Sequence, residues 1–281
     1  MSFGARLHAA TSAHGPLCAG IDPHPSLLHA WGLDDDVAGL ERFARGAVEG
    51  LAPHVAVVKP QSAFFERFGS RGIAVLERVV NDARAAGALV LLDVKRGDIG
   101  STSQAYADAY LDPASPLACD AITASPYLGF GSLEPMLETA ARHDAGVFVL
   151  ALTSNTEGPE VQHARTDTGE TVAARVLAHL ARLNADATPL GSFGAVVGAT
   201  LADQVPGEPA PDLAINGPIL APGLGAQGGT TADLARLFGP VASQVLPSSS
   251  RGLLGLGPAV GSLADGARRL NDELRDALTL R

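Results

Sequence analysis

The chain has 281 residues, 46% of them hydrophobic and 18% charged, with a formal net charge of −10. That length can bury one large core. The acidic balance excludes a general binder of nucleic acid or of an anionic membrane surface, since either needs a basic face. Small anions stay open as ligands, because a local site can oppose the global charge. The first 13 residues carry charges and no apolar h-region, so no secretory signal is expected. No apolar run reaches the length of a membrane span.

In chain order, short apolar runs read as strands at 17–21, 55–58, 88–92, 121–124, 147–152, 195–197, 219–221 and 244–247. Amphipathic stretches between them read as helices at 37–51, 72–86, 102–111, 133–143, 171–185, 230–238 and 261–280. Near-continuous apolar strands alternating with helices imply a parallel sheet covered by helices. Eight such units fit an α/β fold of the (β/α)8 TIM-barrel kind, with residues 1–281 as a single domain. The rival is an open doubly wound sheet. Two long polar segments, 155–170 and 201–213, carry Pro159, Pro206, Pro209 and Pro211. The second reads as an insertion, the first as either an insertion or a lid. Cys18 and Cys119 sit in apolar segments and read as reduced core residues of a cytoplasmic protein.

The polar residues of interest cluster at or beyond the C-terminal ends of these strands. Asp22 follows the first and Lys59 the second. Asp93 and Lys95 close the third, with Asp98 three residues on. Thr153 and Ser154 close the fifth, Gln227 lies beyond the seventh, and Arg251 beyond the eighth. A barrel gathers such ends on one face, where its active sites sit. Residues i and i+2 of a strand point the same way, so Asp93 and Lys95 are expected to project together. Charges beside a buried strand are costly unless paired. Lys59 reads as a Schiff-base amine, a charge partner of Asp93, or a snorkelling surface group. Asp22, before Pro23, reads as a turn residue or an acceptor for sugar hydroxyls.

The run from Gly223 through Gly225 to Gly228 matches G-x-G-x-x-G. It stands near the C-terminus with no acidic residue about 20 positions on, so a dinucleotide site is rejected. A glycine loop feeding a helix N-terminus still suits a phosphate, and Arg251 supplies a bidentate cation from the next loop. The eight histidines form no metal pattern. Asp34, Asp35 and Asp36 read as a charge cluster at a helix start.

Asp93-Val-Lys95-Arg-Gly-Asp98-Ile-Gly-Ser-Thr102 resembles the signature of orotidine 5'-phosphate decarboxylase, and most closely its longer bacterial form. Gly20-Ile-Asp22-Pro, Val58-Lys59-Pro60-Gln, Thr153-Ser154-Asn155, Pro222 through Gln227, and Ser249-Ser250-Arg251-Gly252 resemble its other elements, in the same order. The resemblance implies a barrel that dimerises at its active-site face. It implies decarboxylation of orotidine 5'-monophosphate to uridine 5'-monophosphate and carbon dioxide, without metal or organic cofactor. It assigns Lys59, Asp93, Lys95 and Asp98 to a charge network in which Lys95 protonates C6. Asp98 and Thr102 would reach the partner's site. Asp22, Lys59 and Thr102 would hold ribose, Ser154 the pyrimidine, and Gln227 and Arg251 the phosphate. Three alternatives remain: a magnesium-dependent sugar-phosphate decarboxylase sharing D-x-K-x-x-D, a Schiff-base aldolase using Lys59 or Lys95, and a silent phosphate-ligand binder.

Overall fold

The computed structural model describes residues 1–199, 212–225 and 228–278. Its sheet has β1 at Cys18–Ile21, β2 at Val57–Pro60, β3 at Leu89–Arg96 and β4 at Ala121–Ala124. It continues with β5 at Gly146–Leu152, β6 at Phe193–Val197, β7 at Ile219–Pro222 and β8 at Val245–Ser249. The strands are parallel and close in sequence order, with β8 pairing β1. The closed order decides for the barrel over the open sheet. Every strand read from the sequence is present, β4 with the same bounds and the others with shifted edges.

The largest shift is in β3, which runs past Leu92 through Asp93 and Lys95 to Arg96. The apolar run stops at Leu92 because the strand there leaves the core for the site, while its backbone pairing continues. The helices also follow the reading. Val37–Leu51 is N-capped by Asp36, whose carboxylate accepts the Gly39 N–H at 2.7 Å. Asp35 instead pairs with Arg67. Segment 155–170 carries the short helix Pro159–Gln162 and a bridge from Arg165 to Thr171. Residues 201–211 of the other polar segment lie outside the described residues.

The two-residue period of a strand divides the core. Cys18, Val57, Leu91, Ala121, Phe148, Val196, Leu220 and Leu246, one from each strand, cluster inside the barrel with Phe3, Leu7 and Leu190. Their sequence neighbours, such as Ala19, Val58, Leu92 and Ile122, belong to the larger cluster beneath the helices. Both cysteines are buried and free. Burial pushes each thiol up to about 12, so both are inert.

The N-terminal helix Phe3–His14 has no counterpart in the sequence reading. It closes the N-terminal end of the barrel. Phe3 packs edge-to-face on Phe148 with ring centres 6.0 Å apart. Gly146 makes room for it, since a Cβ there would lie 2.4 Å from the Phe3 ring. Arg6 pins the helix through buried Asp120 at 2.5 Å. No helix among the described residues is long and apolar enough to cross a membrane.

Candidate active site

Two residues above the interior apolar layer, towards the C-terminal ends of the strands, come Gly20, Lys59, Asp93, Thr123 and Ser248. The same alternation that points Val57 and Leu91 inward therefore points Lys59 and Asp93 inward. Gly20 pairs with Lys59 across β1 and β2. A Cβ at Gly20 would come within 2.7 Å of the Ser250 side chain. Glycine there lets the loop after β8 close over β1.

Asp93 is the hub. Its Oδ2 accepts from Lys59 Nζ at 3.0 Å. Its Oδ1 accepts from Lys95 Nζ at 2.6 Å and from the Thr123 hydroxyl at 2.8 Å. The Lys59 and Asp93 side chains are only 7% and 9% exposed, whereas that of Lys95 is 46% exposed. Burial alone would raise the Asp93 carboxyl, but the Lys59 and Lys95 charges hold it far below the usual carboxylate range. Burial alone would lower the Lys59 ammonium, but Asp93 and then Asp22 hold it far above the usual lysine value. The pair is ionised throughout the physiological range. Burial rules out Lys59 as a snorkelling surface group, and its contact with Asp93 favours the charge-partner reading.

Lys95 departs from strand geometry. Its φ is +44°, left-handed backbone that costs a non-glycine residue roughly 1–2 kcal/mol. The β3–β4 register shifts between Leu92 and Arg96. The Asp93 and Lys95 side chains do meet, as their spacing predicts, but through a kinked backbone. Arg96 turns the other way, to Glu66 at 2.6 Å and the Tyr110 hydroxyl at 3.1 Å.

Asp22 is half-buried, and its Oδ1 has no hydrogen-bond partner among the described residues. A buried acceptor left open needs a donor. At the end of β5 the Thr153 hydroxyl donates to Asn155 Oδ1 at 2.6 Å and accepts from Gln162 Nε2 at 2.6 Å. Gln162 also accepts the Thr153 N–H at 2.8 Å. Thr153 is thus committed to its own loop, and Ser154 beside it is half-buried.

Beyond β7, Gly223 and Gly225 sit at φ of +108° and +76°, conformations that favour glycine. The turn closes on itself through Gly229 N–H to Gly223 O at 3.1 Å and Gly225 N–H to Gly229 O at 2.9 Å. The helix it feeds, Thr231–Phe238, is closed by its own capping box of Thr230 and Asp233. An acidic side chain at that first turn opposes an anion, so the phosphate role rests on the loops and not on this helix end. Gln227 lies outside the described residues. Arg251 is exposed and opens a short helix just past β8.

The structure brings Lys59, Asp93 and Lys95 together, with Asp22 acting on Lys59 through its charge. Asp98 stands apart. Its Oδ1 accepts the Ile99 N–H at 2.8 Å, and among the described residues it makes no ion pair. Thr102 is exposed. Thr123 and Gln162 were not singled out from the sequence. For Thr123 there was a sign: a polar residue in the run Ala121-Ile-Thr-Ala124, at the inward position of its strand.

Residues 15–260 match the model of the orotidine 5'-phosphate decarboxylase / HUMPS family. The orotidine 5'-phosphate decarboxylase of a Nocardioides species is 70% identical over 277 residues, covering 97% of this chain and 98% of its own length. That of Streptomyces coelicolor is 61% identical over 277 residues, covering 99% and 98%. A Streptomyces avermitilis crystal structure assigned to the same enzyme superposes with a TM-score of 0.95. It is 61% identical and covers 99% of this chain and 96% of that one.

Proposed function

The chain belongs to the orotidine 5'-phosphate decarboxylase / HUMPS family, and from that premise we infer that it converts orotidine 5'-monophosphate to uridine 5'-monophosphate and carbon dioxide. It is then a carbon–carbon lyase of pyrimidine biosynthesis, acting in the cytoplasm. The observation that carries the reading is the Lys59–Asp93–Lys95 chain, buried at Lys59 and Asp93 and exposed at Lys95, at the C-terminal ends of β2 and β3.

The hydrogen-bonded chain ends in a cation at its exposed lysine, Lys95. A substrate carboxylate next to Lys95 extends the alternation of charge. It also comes close to Asp93, where like-charge repulsion is relieved as carbon dioxide leaves. The bond from C6 to the carboxylate carbon breaks and its electron pair stays on C6. The Lys95 ammonium stabilises that charge and then gives its proton to C6. Asp22, with its open buried oxygen, and Lys59 take ribose hydroxyls. Ser154 takes the pyrimidine, and Gln227 and Arg251 the phosphate. Binding energy from the remote phosphate orients the reacting carbon.

Asp98 and Thr102 serve the site of a second copy in a homodimer. Support comes from the Asp98 carboxylate, which makes no ion pair among the described residues, the exposure of Thr102, and the exposed apolar residues Ile99, Tyr127 and Leu128 beside the β3 and β4 ends. The deciding assay is purified protein with orotidine 5'-monophosphate and EDTA, followed by ultraviolet absorbance. Loss of the orotidylate band with chelator present is expected. An unchanged spectrum refutes the reading, and activity abolished by EDTA favours the magnesium enzyme.

A further inference from the structure

We propose that Thr123 is a positioning residue for this reaction: its single hydroxyl holds both the left-handed backbone of Lys95 and the carboxylate of Asp93. The inference rests on the decarboxylase reading and names a residue outside the charge network. Thr123 is 1% exposed, on β4. Its Oγ1 accepts the Lys95 N–H at 2.9 Å and donates to Asp93 Oδ1 at 2.8 Å. The two roles fix each other. A backbone N–H can only donate, so the hydroxyl must accept there, and its one hydrogen is left for the carboxylate.

No neighbour on β4 duplicates this, because Ala121, Ile122 and Ala124 carry no polar side chain. The hydroxyl sits where the β3–β4 register shifts, so the regular ladder does not serve the Lys95 N–H there. Residues held in sparsely populated backbone regions persist only where their surroundings over-determine them. At Lys95 the determinant is one hydroxyl on the adjacent strand. The same Asp93 oxygen receives Lys95 Nζ at 2.6 Å. Thr123 therefore closes a small ring with Asp93 and both ends of Lys95, and the ring sets where the ammonium points.

The test is Thr123→Val, which removes the hydroxyl at nearly constant shape, beside Thr123→Ser, which keeps it. In Thr123→Val, kcat is expected to fall about 10- to 100-fold, the cost of a misplaced catalytic group. Uridine 5'-monophosphate affinity, measured by calorimetry, is expected to change by less than about threefold, because ground-state binding is not what is lost. Thr123→Ser is expected to recover most of kcat. If the valine variant does not accumulate, Thr123→Ala removes the same hydroxyl without a branched side chain. Wild-type kcat in either hydroxyl-free variant overturns the proposal. So does a parallel loss of kcat and nucleotide affinity that serine fails to rescue, since that is general damage to the site. Absence of turnover in the wild-type protein overturns the decarboxylase reading instead.

Discussion

Asp93→Asn removes one charge and leaves the shape of the hub intact. An amide offers one acceptor where the carboxylate offers two. If the new NH2 faces Lys95, both the Lys95 ammonium and the Thr123 hydroxyl hydrogen lose their acceptor. The amide therefore turns its NH2 to Lys59, and a buried ammonium loses its acceptor. Removing one partner of a buried ion pair costs about 3–5 kcal/mol. Asp22 still acts on Lys59 through its charge, so a loss near the low end, about 3 kcal/mol, is expected. Urea unfolding at pH 7 followed by circular dichroism measures it. With a slope of about 1–3 kcal/mol per molar, the midpoint falls by about 1 M or more.

The pH dependence of that loss is also fixed in sign. The folded Asp93 lies below its unfolded value. Its contribution is therefore present above the unfolded carboxylate pKa, about 3.9, and disappears as pH falls below it. The folded Lys59 lies above its unfolded value. Its contribution is present below about 10.4 and fades as pH rises from there towards the folded value. The gap between wild type and Asp93→Asn is thus widest between roughly pH 5 and 9 and narrows on both sides. Coincident urea midpoints at pH 7, or a gap that widens above pH 10.5, would refute the buried ion pair as described.

Lys95→Ala is expected to lower turnover by at least about 10²- to 10⁴-fold, the usual worth of a positioned general acid. Calorimetry should still register uridine 5'-monophosphate binding, and normal turnover removes Lys95 from the chemistry. Arg251→Ala is expected to lower kcat/KM on the full nucleotide by about 2–3 kcal/mol, through loss of charge-assisted hydrogen bonds. An unchanged kcat/KM sinks the phosphate assignment. Phe3→Ala is expected to lower unfolding stability by about 3–5 kcal/mol while sparing kcat per folded molecule. Equal stability to the wild type shows that the N-terminal helix is not the plug it is taken for.

Legibility from the sequence followed burial. The eight strands were readable because each is an apolar run stopped by turn residues. The end of β3 was not, because Asp93 and Lys95 are charged yet remain in the ladder. The helix Phe3–His14 escaped because only Phe3, Gly4 and Leu7 are buried. Its inward stripe is short, Phe3 and Leu7 with partly buried Ala10, and the small residues around it give little contrast to find. Lys59, Asp93 and Lys95 were legible as costly charges at strand ends that needed partners. Thr123 was hidden because one hydroxyl in an apolar strand changes neither charge nor periodicity. Gln162 was hidden because it works through a loop contact with Thr153 that no spacing encodes. The proposed role of Asp98 and Thr102 needs a second copy, so neither could be read from strand-end charges within one chain.

The two lysines around Asp93 divide the work by depth. Lys59 is buried beside Asp93, and Asp93 and Asp22 favour its ammonium form, so it serves as a hydrogen-bond donor. Lys95 stands half in solvent, which suits the proton-donor role proposed for it. A regular strand would carry Lys95 on the same inward row as Asp93, level with the next layer of the barrel. The kink at φ +44° takes it off that row while Asp93 keeps hold of its ammonium. The strained backbone is thus what allows one carboxylate to bind a structural lysine on one oxygen and present a reactive lysine on the other.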